Sequence, residues 1–138
     1  MKILIIGDTG LIGSHLKYKI NQIKELKLFT LSRSQLSEKR NHFKIDILYE
    51  NNLYSKIGIK FDIVINCIDS KIYKKRYNLD KYYLKIFSLL NKNSIIFEIS
   101  SLSAFPNFFN KKKGLTYYGK RKLYSENLIK KNSKILNF

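Results

Sequence analysis

The chain has a single cysteine, Cys67, so no internal disulfide can form, which suits a reducing compartment. Only two histidines are present, His15 and His42. Neither has partners at metal-ligand spacing, so no metal is expected. No apolar run approaches the roughly 20 residues needed to cross a bilayer. The opening MKILII starts as a signal peptide would, but Gly7-Asp8 ends the apolar run too early. These absences lead to the expectation of a soluble, cytoplasmic protein with no membrane partner. Acids are scarce as well: 10 Asp and Glu stand against 27 Lys and Arg, a formal net charge of +17.

Such an excess of positive charge points first to a polyanion such as nucleic acid. The composition supplies a plainer account. The cations are mostly Lys, and Lys, Ile and Asn together dominate the chain, a pattern that A/T-rich codons produce without selection for binding. Arg, whose planar fork suits nucleic-acid surfaces, is sparse. Nucleic-acid binding therefore stands third among the readings of this chain, because net charge speaks to association and not to fold.

At 138 residues the chain has room for one domain, 1–138, with one core. Lys2–Ile6 reads as a strand, followed by a glycine turn and a helix over Leu11–Ile23. Leu26–Leu31 and Phe43–Leu48 read as further strands, and Asn51–Ile57 as a short helix ended near Gly58. Phe61–Ile68 is almost continuously apolar, as in a strand covered on both faces. Tyr73–Leu90 carries a helical stripe through Tyr77, Leu84, Phe87 and Leu90. Ser94–Ile99 reads as a buried strand, Ser100–Thr116 as a loop holding the only proline, Pro106, and Tyr117–Lys131 as a helix. Lys134–Phe138 looks like the start of another strand. Alternating strands and helices predict an α/β, Rossmann-like doubly wound parallel sheet of about six strands, with helices on both faces.

The segment Gly7-Asp8-Thr9-Gly10-Leu11-Ile12-Gly13 falls where the first strand becomes the first helix. Gly7 suits a tight turn with positive φ, Gly10 allows a pyrophosphate to approach the backbone, and Gly13 allows the helix to pack close to the strand. Free N–H groups at the helix start face the phosphates. A glycine turn without a ligand is the plainer alternative, weakened by the strand-turn-helix context. The spacing is GxxGxxG, and GDTGLIGSHL resembles the opening of the extended short-chain dehydrogenase/reductase family, the nucleotide-sugar epimerases, dehydratases and reductases. The resemblance continues along almost the whole chain. It implies a nicotinamide dinucleotide held by Gly7, Thr9, Gly10, Leu11, Ile12 and Gly13.

The end of the second strand bears on which dinucleotide. An acid there would bond the ribose 2′-hydroxyl and repel a 2′-phosphate. Here Leu31-Ser32-Arg33-Ser34 contains none. Arg33 can pair with a 2′-phosphate, with Ser32 or Ser34 adding a hydroxyl, so NADP(H) is favoured and NAD(H) is retained. A solvated loop arginine is the alternative. Asp46-Ile47 resembles the family's pair beside the adenine, while an Asp capping a turn explains Asp46 equally well.

The family resemblance also implies a Ser-Tyr-Lys site. Tyr118 and Lys122 are four apart on one helix face, and TyrGlyLysArgLys with Glu126 is similar to the family's YGxSKxxxE, except for Arg121 where a small residue is usual. A lysine beside a phenol favours phenolate. Lys122 would also bond the nicotinamide ribose, and Ser101 would hold the substrate oxygen, with Ser103 as the alternative. Tyr77 and Lys81 share the spacing and are a decoy. Asn78 resembles a family residue that supports the site, or is a plain polar helix residue. Lys111–Lys113 is a solvated loop or a contact for an anionic nucleotide-sugar. Family members continue past the strand that Ile135-Leu136-Asn137-Phe138 resembles, into a smaller part that binds substrate. The expected partners are therefore a nucleotide-sugar-like substrate and a homodimer or second chain supplying that part. A catalytically idle cofactor module is the leading alternative to an enzyme.

Overall fold

The computed structural model describes residues 1–34, 41–68, 78–101, 104 and 115–132. Its elements are β1 (Lys2–Ile6), α1 (Leu11–Ile20), β2 (Lys27–Ser32), β3 (His42–Lys44), α2 (Leu53–Ile57), β4 (Phe61–Asn66), α3 (Leu79–Phe87), β5 (Leu90–Glu98) and α4 (Tyr117–Asn132). The strands form one sheet in the order β3-β2-β1-β4-β5, and every pairing is parallel. This is the doubly wound α/β arrangement, with five strands among the described residues. The sixth expected strand, at 134–138, lies outside them.

Strand order reverses between β1 and β4, and a crevice opens at such a point beyond the carboxyl ends of the strands. Leu4 and Ile6 of β1 join Phe29, Leu31, Phe61, Val64 and Ile96 in a core shared with α2, α3 and α4. Phe29 meets Phe61 edge to face, with ring centroids 5.3 Å apart. Ile3 and Ile5 alternate to the other side of the sheet, where α1 lies against β1 and β2.

Several element bounds differ from expectation for local reasons. Helix α1 stops at Ile20 because the chain then tightens into three-residue turns, with Ile23 N donating to Ile20 O at 3.0 Å and Leu26 N to Ile23 O at 3.2 Å. Strand β3 ends at Lys44 because Asp46 folds the next residues into a turn. The amides of Tyr49 and Glu50 reach its carbonyl, at 3.1 and 3.0 Å. Helix α2 is capped by Asn52, which accepts from Ser55 N, and closed by Gly58 at φ 66°.

Helix α3 begins at Leu79, with Asn78 as its cap accepting from Lys81 N at 3.2 Å. Its buried stripe is Leu79, Tyr82, Tyr83 and Ile86. Leu84, expected on that stripe, is 63% exposed, and Tyr77 lies outside the described residues. Strand β5 starts earlier than expected, at Leu90. Its register runs from Phe61↔Leu90 to Ile63↔Ile95, so residues 91–94 bulge outward. Ser94 pins that bulge, donating to Phe61 O at 2.6 Å and accepting from Asn91 N at 2.7 Å. No helix among the described residues is long and apolar enough to cross a membrane.

Candidate functional site

Strand β1 leads directly into the glycine turn. Gly7 has φ +88°, a conformation that a side chain disfavours, and its N–H donates to Leu31 O at 2.8 Å. Gly10 N returns to Gly7 O at 3.1 Å, and the first helical bond is Ser14 N to Gly10 O at 2.9 Å. The amides of Leu11, Ile12 and Gly13 therefore belong to the unbonded first turn of α1, which carries no side-chain cap. A Cβ on Gly13 would overlap the Gly7 carbonyl oxygen and lie 2.9 Å from Asp8 Cα. At Gly10 the nearest atom would be 3.5 Å away, which leaves the outer face of the turn open.

A cavity of about 490 Å³ opens beyond the ends of β1, β2 and β4. Gly7, Thr9, Gly10, Leu11 and Ile12 form one wall, while Arg33, Asp46 and Ile47 stand on the other. Leu11 is 90% exposed at the entrance. Cys67 and Ile68, just past β4, complete the lining. Sequence reasoning did not single them out, although the apolar run Phe61–Ile68 already led to this point. Burial and the nearby Glu98 push the Cys67 thiol up to about 11. Gly13 serves the packing behind the turn and is absent from the lining.

The end of the cavity at Arg33 and Asp46 is held by polar contacts. Asp46 Oδ1 accepts from Leu48 N at 3.1 Å, and its Oδ2 lies 3.9 Å from Arg33 Nη1. Asp46 thus both lines the cavity and caps a turn. Lys85 reaches from α3 to the carbonyls of Ile47 and Leu48, at 3.0 and 3.1 Å, and ties this wall down. Ser32 is buried, and its hydroxyl donates to Ser34 O at 2.8 Å.

Behind the turn lies a network that no linear pattern showed. Asp8 is buried and pairs with Lys17. His42 Nδ1 is 3.9 Å from the Asp8 carboxylate and 2.7 Å from Thr30 Oγ1. Burial lowers the His42 pKa, with Asp8 opposing and Lys17 adding to the shift. His15 is exposed on α1. Among the described residues no group of His, Cys, Asp and Glu is arranged to hold a metal ion.

The residues expected to do chemistry sit at the ends of β5 and α4. Ser101 follows β5, half-buried, and its carbonyl accepts from Ala104 N at 2.9 Å. Tyr118 is half-buried in the first turn of α4 and packs against the core. Lys122, one turn later, is only 1% exposed. Its Nζ lies 3.3 Å from Glu98 Oε1 and 2.5 Å from Ile99 O. Glu98 Oε2 in turn accepts from Asn66 Nδ2 at 2.7 Å, and Asn66 Oδ1 accepts from Tyr82 OH at 2.8 Å. Burial raises the Glu98 pKa, while Lys122, Asn66 and Tyr83 hold it down. Arg121 is accommodated by lying along Tyr117, with its guanidinium 5.8 Å from the ring centroid. Ser100 is bonded to Glu126. Ser103 and Lys111–Lys113 lie outside the described residues, as does Tyr77 of the decoy pair, and Lys81 is exposed.

No protein-family model and no curated protein sequence matches this chain. Solved structures do. ADP-L-glycero-D-manno-heptose-6-epimerase from Helicobacter pylori superposes with a TM-score of 0.70 at 18% identity, over 96% of this chain and 51% of its own. UDP-glucuronic acid 4-epimerase from Bacillus cereus, in complex with UDP-glucuronic acid and NAD, gives 0.70 at 19% identity, over 99% of this chain and 55% of its own. A short chain dehydrogenase family protein from Francisella tularensis gives 0.64 at 18% identity, over 94% and 61%. At these identities the likeness is one of fold. The chain spans about half the length of the two epimerases.

Proposed function

We propose that this chain is the dinucleotide-binding part of an NAD(P)-dependent oxidoreductase or epimerase acting on a nucleotide-sugar or similar carbonyl or alcohol substrate. The observation that carries this reading is the cavity at the switch in strand order, walled by an open glycine turn. Unbonded helix amides and the space beside Gly10 suit a pyrophosphate, and the Lys17 ammonium paired with Asp8 offsets the one acid of the turn. The UDP-glucuronic acid 4-epimerase with the same fold is in complex with NAD. Arg33 and the lack of an acid after β2 favour NADP(H) here.

When bound, the nicotinamide supplies or accepts a hydride. Tyr118 then gives or takes the proton of the substrate oxygen, and Ser101 holds that oxygen by a hydrogen bond. Lys122 carries the positive charge that favours phenolate at Tyr118 and bonds the ribose. Sequence outside these residues, or a second chain, supplies most of the contacts to the sugar. We place the protein in the cytoplasm.

A second reading, a cofactor-binding module without turnover, is favoured by one observation: the Lys122 ammonium is already paired with Glu98. Titration with NADPH tests the cofactor reading, and absence of binding by either nicotinamide dinucleotide would remove it. Tyr118→Phe separates enzyme from module. With nucleotide-diphosphate 4-keto sugars and NADPH, turnover should fall about a hundredfold or more, as expected for loss of an acid–base group, with NADPH binding intact.

A further inference from the structure

Lys85 is used by none of the steps above. It stands in the last turn of α3, where a lysine ordinarily complements the helix dipole or extends into water. Here the side chain is half-buried at the edge of the buried stripe. Its ammonium donates to the carbonyls of Ile47 and Leu48, 38 and 37 residues earlier in the chain. Successive carbonyls of an extended strand point to opposite sides. One ammonium can take both only where the chain has turned, at the bend that Asp46 nucleates after β3. Leu48 is held at both ends, its N–H by Asp46 Oδ1 and its carbonyl by Lys85. Burial lowers the Lys85 pKa, with Glu50 and Asp46 opposing and Lys81 adding to the shift. A partly desolvated cation needs partners, and this one is spent on backbone that walls the cavity.

We infer that Lys85 is a positioning residue for the dinucleotide, holding the wall at residues 45–48 in its bound shape before the cofactor arrives. The inference rests on the proposed cofactor reading. With the pyrophosphate on the glycine turn and the 2′-phosphate at Arg33, the ribose lies between them and its base rests against this wall. A wall free to move would have to be ordered at the moment of binding, and that cost is subtracted from affinity. The same segment carries Asp46, so Lys85 also fixes the neighbour of Arg33.

Lys85→Met, which keeps an apolar stem and removes the donors, is the test. Lys85→Gln, too short to reach both carbonyls, takes its place if the methionine variant does not fold. Lys81→Met removes the same charge from an exposed position on α3 and is the control. Two quantities are measured. The first is affinity, by calorimetry, for NADPH and for 2′,5′-ADP, which has the base and the 2′-phosphate but no nicotinamide. The second is amide hydrogen exchange across the chain. In Lys85→Met both ligands should bind about tenfold more weakly, the scale of a lost charged hydrogen bond. Exchange in the free protein should quicken at residues 47–50 while β1, β2 and β4 keep their protection, and saturating NADPH should slow it again. Lys81→Met should match the wild type in both. Unchanged affinity with faster exchange would make Lys85 a structural tie only and overturn the proposal. Weaker binding without faster exchange, or an equal loss in Lys81→Met, would overturn it as well. A wild type that binds neither ligand would remove the cofactor reading itself. Binding that persists equally in wild type and Lys85→Met would remove only the role of Lys85.

Discussion

Arg33 and Asp46 stand side by side on one wall of the cavity, with Nη1 3.9 Å from Oδ2. The arginine side chain is 56% exposed, and a pair so open to water contributes little. Arg33 is thus oriented toward the cavity without being committed to its partner.

Arg33→Ala should weaken NADPH binding about tenfold, the scale of one charge-assisted contact, and leave NADH nearly unchanged. Asp46→Asn should tighten NADPH, because it removes a negative charge from beside the 2′-phosphate. Parallel titrations with both dinucleotides check this. An equal loss for both in Arg33→Ala would remove the preference for NADP(H).

Two glycines should respond differently to the same change. Gly13→Ala drives a methyl into the Gly7 carbonyl oxygen, so the turn must open, and both thermal stability and dinucleotide binding should be lost. Gly58→Ala meets no atom within 4 Å and bears only the strain of positive φ, about 1 kcal/mol. Melting curves with and without NADPH separate the two. A well-folded, NADPH-binding Gly13→Ala protein would contradict the geometry.

Cys67 should be a slow nucleophile. Its thiol is raised from 9.0 to about 11, and only the thiolate reacts. At neutral pH its alkylation by iodoacetamide should be about a hundredfold slower than that of an unshifted thiol, rising with pH. NADPH should slow it further, since Cys67 lines the cavity. Mass spectrometry of timed samples gives the rates. Labelling as fast as glutathione would show that the thiol is not held in this environment.

The pH dependence of stability should carry a His42 component. Its folded pKa is lowered, so the unfolded chain takes up the proton first as pH falls through about 6.5. The stability from neutral His42 is full above that pH and is lost as pH falls toward the folded value. Melting temperature between pH 7.5 and 5.5 should therefore fall more steeply in the wild type than in His42→Gln. The difference between the two proteins is the informative quantity, because Glu98, raised by burial, tilts the curve the other way. Parallel curves would exclude His42 as a contributor.

The sheet was legible in the sequence wherever apolar periodicity and glycine punctuation are local. FDIVINCI reads as a strand buried on both faces, and Gly7–Gly13 as the turn after β1. Apart from Gly13, which packs behind the turn, the residues read as cofactor contacts on that turn and after β2 and β3 stand around one cavity because chain order brings those strand ends together. What stayed hidden depends on neighbours distant in sequence. Asp8 and His42 meet only because β3 pairs with β2, and Glu98 finds Lys122 only once α4 packs beside β5. Leu84 was read as part of the buried stripe but projects from nearly the opposite side of α3 to its buried face. The end of β3 was misjudged because the turn chemistry of Asp46 overrides the β-branched residues beside it.

The outward bulge at residues 91–94 lies at the opposite end of the sheet from the cavity, before the regular pairing of β5 begins at Ile95. Lys92 and Asn93 are exposed there, and the chain path is pinned from within by Ser94. That makes the bulge a natural attachment point. A peptide tag or fluorophore inserted between Lys92 and Asn93 would report on the protein from its far side and leave the glycine turn untouched.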